Sequence, residues 1–140
     1  MSKVAVVYWS GTGNTEAMAM AVAEGAKGKG AEVSVIAAAE FSPEQVSEYS
    51  AIAFGCPSMG SEQLEESEFE PMFIACEGRL SGKNIALFGS YGWGDGEWMR
   101  SWESRCNDDG ANLACESVIC NEAPDDDALA ACRELGASLA

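Results

Sequence analysis

Three stretches of this chain are apolar without interruption, Val4–Trp9, Ala51–Cys56 and Ile85–Phe88, and that continuity limits the folds open to it. A strand with one wet face alternates apolar and polar side chains. A strand without alternation is covered on both faces, as in a parallel sheet held between two helical layers. Two further stretches are mixed and suit sheet edges: Glu32–Ile36 alternates in part, and Leu113–Cys120 carries a charge midway. Helical patterns separate them. Met18, Ala21, Val22 and Gly25 share one face of a segment starting at Asn14 or Thr15, Trp98, Trp102 and Cys106 are spaced by four, and Leu129, Cys132, Leu135 and Leu139 form a stripe. Pro43 suits the first turn of a short helix. Ser67 and Glu70 have the spacing of a capping box ahead of another helix, in which Pro71 fits only near the start. The order βαβαβαβαβα predicts a doubly wound α/β fold. Its five-stranded parallel sheet has strand order 2-1-3-4-5 with helices on both faces. The switch point then falls between strands 1 and 3, where such sheets bind ligands beyond the C-terminal strand ends.

Composition narrows the function. At 140 residues the chain has the length of a single domain, 1–140, and no apolar run approaches the roughly 20 residues that span a bilayer. The start, MSKVAVVYW, enters the first strand without the apolar stretch and small-residue cleavage site of a signal peptide, so a soluble, cytoplasmic protein is expected. Six cysteines there read as reduced core residues. None forms a C-x-x-C pair, and the absence of histidine removes mixed zinc sites and imidazole acid–base catalysis, so no metal is expected. The formal charge of −15 disfavours nucleic acid and anionic membranes and complements a basic protein surface. A purely solubilising role explains the charge equally well.

The strand ends carry the chemistry. After strand 1 comes Trp9-Ser-Gly-Thr-Gly-Asn-Thr-Glu16, whose glycines allow close backbone approach and whose Ser10, Thr12, Asn14 and Thr15 offer donors at a helix N-terminus. It lacks the Lys of a nucleoside-triphosphate loop and the third glycine of the dinucleotide fingerprint, so its neutral donors point to a terminal monophosphate. A hydroxyl-rich helix cap is the alternative. After strand 3, Pro57-Ser-Met-Gly-Ser-Glu62 places Gly60 where a tight turn fits, with Met59 as core filler or as a cover. After strand 4, Gly89-Ser-Tyr-Gly-Trp-Gly-Asp-Gly96 mounts Tyr91 and Trp93 on a glycine-rich backbone, a better aromatic plate than core. An anion cradle, a glycine turn beside an apolar side chain and an aromatic plate fit a flat aromatic ligand bearing a phosphate. FMN is such a ligand.

With these residues in view the chain closely resembles a flavodoxin of the short-chain type, along essentially its whole length. The resemblance is carried by YWSGTGNTE at 8–16, GCPSMGSEQLEES at 55–67, GSYGWGDGEWM at 89–99 and NEAPD at 121–125. It implies that Ser10, Gly11, Thr12, Gly13, Asn14 and Thr15 hold the FMN phosphate, with Ser58 reaching it too. Trp93 would stack on the outer face of the ring and Met59 cover the inner one. The backbone of Gly92 and Gly94 would meet the pyrimidine edge, Glu62 would accept from N3–H, Ser90 and Tyr91 would line the site, and Asn121 would approach the ribityl chain. The Gly60–Ser61 peptide would turn to accept from N5–H of the semiquinone. The implied function is that of a non-enzymatic, monomeric carrier. It would move single electrons at low potential, mainly on the semiquinone and hydroquinone pair, in place of ferredoxin between redox partners with basic docking surfaces.

Charge bears on the potential. At an effective dielectric of about 20, a carboxylate about 12 Å from the ring opposes a second negative charge by about 1.4 kcal/mol before screening. That corresponds to roughly 60 mV for a one-electron couple. Glu62, Glu65, Glu66, Asp95, Glu97 and Asp125–Asp127 are the expected neighbours. The rivals are an NAD(P)H-dependent quinone reductase on the same fold, and a flavin-free regulatory module that would purify colourless.

Overall fold

Residues 2–59 and 62–140 are described by a computed structural model. The uninterrupted runs form the middle of a parallel sheet: β1 (Lys3–Tyr8), β3 (Ala51–Gly55) and β4 (Asn84–Tyr91), with β2 (Glu32–Ala37) at one edge. Val6 of β1 lies opposite Val35 of β2 and Ala53 of β3, and Phe54 lies opposite Leu87 of β4. The strand order is 2-1-3-4-5, as expected. One correction concerns the far edge. The expected strand over Leu113–Cys120 is two short strands, β5 (Asn112–Leu113) and β6 (Val118–Asn121), each paired with β4. The ladder ends after the Ala114 N–H donates to Ile85 O at 2.9 Å, and residues 115–117 leave it because Glu116 and Ser117 are polar, the Ser117 hydroxyl donating instead to Glu103 Oε2 at 2.6 Å.

The two faces of the sheet are covered differently. On one face α1 (Asn14–Gly28) and α5 (Asp126–Leu139) pack small side chains, Ala19, Ala23 and Ala26, over Val4, Val6, Ala53 and Ala86. The helices approach so closely that a β-carbon on Gly25 would overlap the Arg133 carbonyl and one on Gly136 the Val22 carbonyl. The other face carries α2 (Pro43–Val46), α3 (Phe69–Glu77) and α4 (Glu97–Asp108). Here rings interlock edge to face, Phe54 on Phe73 at 5.2 Å and Phe69 on Trp102 at 5.4 Å. Each such pair adds about 0.5–1.5 kcal/mol beyond the area it buries.

The helix starts position the loops. Pro43 begins α2 behind a Ser42–Gln45 capping box, and Pro71 lies in the first turn of α3. The box expected from Ser67 and Glu70 is absent. Glu65 caps α3 instead: its carboxylate accepts from the backbone N–H of Ser67, Glu68 and Phe69 and from the Ser67 hydroxyl. A carboxylate outbids a serine hydroxyl here because it accepts several bonds at once and carries the charge that a helix N-terminus favours.

Candidate functional site

The loop after β1 is shaped by backbone bonds. Trp9 N–H donates to Gly55 O at 3.0 Å, Gly13 N–H donates to Ser10 Oγ at 3.1 Å, and Gly13 O accepts from Ala17 N–H at 3.0 Å. Gly13 is the N-cap residue of α1 with φ 96°, a left-handed conformation that strains a residue bearing a β-carbon. No side chain caps this helix. The Ser10 hydroxyl oxygen takes the Gly13 N–H, but among the described residues the Thr12 hydroxyl and the Asn14 amide enter no hydrogen bond, and the N–H groups and dipole of the first turn remain available to an anion.

A cleft of about 520 Å³ opens above the switch point, a size usual for cofactor sites. Its wall brings together Gly11, Thr12, Asn14, Thr15, Ser58, Met59, Ser90, Tyr91 and Gly92 from all three loops. Thr15 is only 1% exposed, and its Oγ1 lies 3.5 Å from Ser90 Oγ, tying the first loop to the third. Ser10 and Gly13 stand just behind the wall, in a small hollow shared with Tyr8 and Glu16. The Tyr8 hydroxyl donates to Glu16 Oε2 at 3.2 Å, and its pKa is raised by burial and by that carboxylate.

The remaining expected residues stand off the wall. Trp93 is 63% exposed, a large apolar side chain in water, and Met59, although it lines the cleft, is itself 38% exposed. Asn121 Nδ2 donates to Tyr91 O at 3.3 Å, so its amide steadies the backbone of the third loop. Gly94 has φ 86°, and a β-carbon on it would overlap the Glu62 carboxylate packed against it. Among the described residues, Glu62 Oε1 is buried without a hydrogen-bond partner. A buried acceptor left without a donor is costly, so this atom fits a ligand N–H. Gly60 and Ser61, the expected turn and flipping peptide, lie outside the described residues.

The sequence left Trp9, Pro57, Glu122 and Ala123 without a task, yet all line the cleft. Trp9 and Pro57 border motifs already singled out. Glu122 holds φ 58° and donates its N–H to Tyr91 O at 2.7 Å, a left-handed conformation in a non-glycine residue that no sequence signal marks.

The acidic rim also needs revision. Glu65 is 6% exposed and is not a rim charge; burial would raise its pKa, but the bonds from Ser67, Phe69 and Glu68 outweigh that and hold the carboxyl below its ordinary value. Asp95 pairs with Arg100 at 2.9 Å, which lowers the carboxyl pKa and offsets its charge, and Asp125 Oδ1 accepts from Ala128 N–H to cap α5. Glu66 and Glu97 are exposed and line a second hollow with Glu62. All six cysteines are free thiols, and burial pushes Cys56 well above the usual range, Cys76 to about 11 and Cys132 to about 12. Such thiols are poor nucleophiles.

A family profile described as flavodoxin matches residues 6–136. The chain is similar to a flavodoxin of Megasphaera elsdenii, 45% identical over 98% of both chains, and to one of Clostridium beijerinckii, 44% identical over 96% of this chain and 97% of that one. The solution structure of two-electron reduced Megasphaera elsdenii flavodoxin superposes with a TM-score of 0.90 at 46% identity, covering 97% of each chain.

Proposed function

This chain belongs to the flavodoxin family, and on that premise we propose that its cleft seats FMN with the phosphate on the start of α1 and the ring between Met59 and Trp93. The protein is a short-chain flavodoxin, an electron carrier that binds FMN and acts with redox partners, and it is not an enzyme. Bound FMN supplies a centre that takes up electrons one at a time. The chain does the rest. Ser10, Thr12, Asn14 and Thr15 give neutral donors to the phosphate, with Gly11 and Gly13 letting the backbone approach and Ser58 adding a hydroxyl. Glu62 Oε1 accepts from the ring N3–H, the backbone of Gly92 and Gly94 meets the same edge, Ser90 and Tyr91 line the ring, and Asn121 faces the ribityl chain.

One observation carries this reading: a helix N-terminus that no side chain caps, in the wall of a cleft supplied with hydroxyls and no basic group. Such a site holds a phosphate by oriented N–H dipoles. Around the ring end the charge works the other way. Glu62, Glu66 and Glu97 disfavour the negative charge that the second electron would place on the ring, which lowers the potential for that electron. The net charge of −15 also steers basic partner surfaces to the exposed Trp93 edge. The protein works as one domain and one monomer in the cytoplasm, in place of ferredoxin, and among the described residues no helix is long and apolar enough to cross a membrane.

The test is whether the protein needs a partner. NADPH alone is expected to leave the flavin colour unchanged, and added reductase to bleach it at a rate that falls steeply with salt. Bleaching by NADPH alone would make the protein a nicotinamide-dependent reductase, and a rate indifferent to salt would remove the basic docking surface.

A further inference from the structure

Trp9 lies at the junction of β1 and the anion loop. Its ring lines the cleft. It also lies against Gly11, where a β-carbon would come within 3.0 Å of Cη2 and 3.2 Å of Cζ3. The ring is thus a prop beneath the loop backbone. Its far side is held from a distant part of the sequence: the indole Nε1 donates to Glu68 Oε1 at 2.8 Å.

Glu68 is exposed but anchored. Its own N–H donates to Glu65 Oε1 at 2.7 Å, in the capping arrangement that starts α3. Glu65 N–H in turn reaches Cys56 Sγ at 3.3 Å, at the end of β3. The contacts run without a break from Gly11 through Trp9, Glu68 and Glu65 to the strand that delivers Pro57, Ser58 and Met59. Among the described residues Glu68 enters no ion pair. It shares the hollow behind the anion loop with Ser10, Gly11, Gly13 and Glu16. Two carboxylates behind a phosphate loop oppose phosphate through space, so any benefit from Glu68 comes from where it places Trp9.

We propose that Glu68 is a positioning residue for the cofactor phosphate. By fixing the Trp9 indole it sets the height of residues 10–15 against the second loop, so that phosphate affinity depends on it and ring affinity does not. The inference rests on FMN occupying the cleft as proposed above.

Comparing FMN with riboflavin, which has the ring and lacks the phosphate, separates the two ends. Dissociation constants are measured by flavin fluorescence for apoprotein prepared from the unmodified protein, E68A, E68Q, W9F and the E68A/W9F double variant. E68A is expected to lose roughly tenfold in FMN affinity, the worth of a hydrogen bond to a charged acceptor, with riboflavin changed by less than about twofold. E68Q keeps an acceptor oxygen and stays within about twofold of the unmodified protein for both flavins. W9F removes both the N–H and the Cη2 and Cζ3 atoms that prop the loop at Gly11, so it is expected to lose at least as much FMN affinity as E68A, and the double variant is no weaker than W9F alone. Retained riboflavin affinity shows that each variant is folded. Equal losses for both flavins in E68A, no loss for FMN, or an E68Q as weak as E68A would each overturn the proposal while leaving the FMN reading intact. If the unmodified protein takes up neither flavin, the FMN reading falls and the role of Glu68 falls with it.

Discussion

The end of the cleft proposed for the phosphate and the end proposed for the ring are both glycine-containing loops after parallel strands, yet they differ in what immobilises them. The first is fixed before any ligand arrives, by the Gly13 N–H bond to Ser10, by Trp9 on Gly55 and by Thr15, which is 1% exposed. The ring end holds Trp93 and Met59 out in water, at 63% and 38% exposure, and leaves Glu62 Oε1 without a donor. The contrast follows from the kind of contact each makes. Backbone N–H groups bind an anion only when their directions are set in advance, whereas stacking side chains close on a flat ring after it arrives. Affinity should therefore be lost mainly at the first end and potential altered mainly at the second.

The largest effect is expected from Gly13→Val, which forces a β-branched residue to φ near 96°. A strain of about 2 kcal/mol or more corresponds to a loss of roughly thirtyfold or more in FMN affinity. Potentiometry of the variant should find both one-electron potentials nearly unmoved, and a large shift in either would blur the division. Trp93→Ala comes next. Losing one stacked face, worth about 0.5–1.5 kcal/mol, weakens FMN and riboflavin alike by up to roughly tenfold and raises the second potential, because the electron-rich indole opposes added electron density. Riboflavin spared by this variant would place Trp93 away from the ring.

Smaller still is the response to charge. Replacing Glu62, Glu66 and Glu97 by Gln is expected to raise the second potential by about 20 mV per charge after screening, more than the first, since only the second electron adds net charge. Equal shifts measured for the two electrons would contradict this. The smallest effect lies outside the comparison and serves as its control. Asp109 follows α4 at the end away from the cleft, where burial and the neighbouring Glu77 carboxylate push its pKa to about 6, while Arg105 holds Glu77 low. A carboxyl raised on folding favours the native state below its ordinary value near about 4, and that contribution is lost as pH rises through about 6. Asp109→Asn should make the protein more stable above that range by about 1 kcal/mol, measured by urea unfolding at acid and at neutral pH, with FMN affinity unchanged.

The sequence revealed most where one physical rule governs a segment. Uninterrupted runs such as Val4–Trp9 announced inner strands because burial on both faces leaves no room for alternation. The broken edge after Leu113 was harder to see, since Ser117 leaves the ladder for a hydrogen bond to Glu103 on α4. The same limit hid Glu65. Its capping of α3 depends on three N–H groups converging on one carboxylate, and the local spacing of Ser67 and Glu70 pointed elsewhere. At the site, glycines and hydroxyls marked the loop that lines the cleft, while Trp9 and Glu68, 59 residues apart, met only through the fold.

The most direct test of the account is stepwise anaerobic reduction of the purified protein, followed by its visible spectrum against a potential standard. The account predicts a yellow protein with one FMN per chain that takes up two electrons in separate steps, the second at clearly lower potential. A colourless protein that does not take up added FMN, or a single two-electron step, would contradict it.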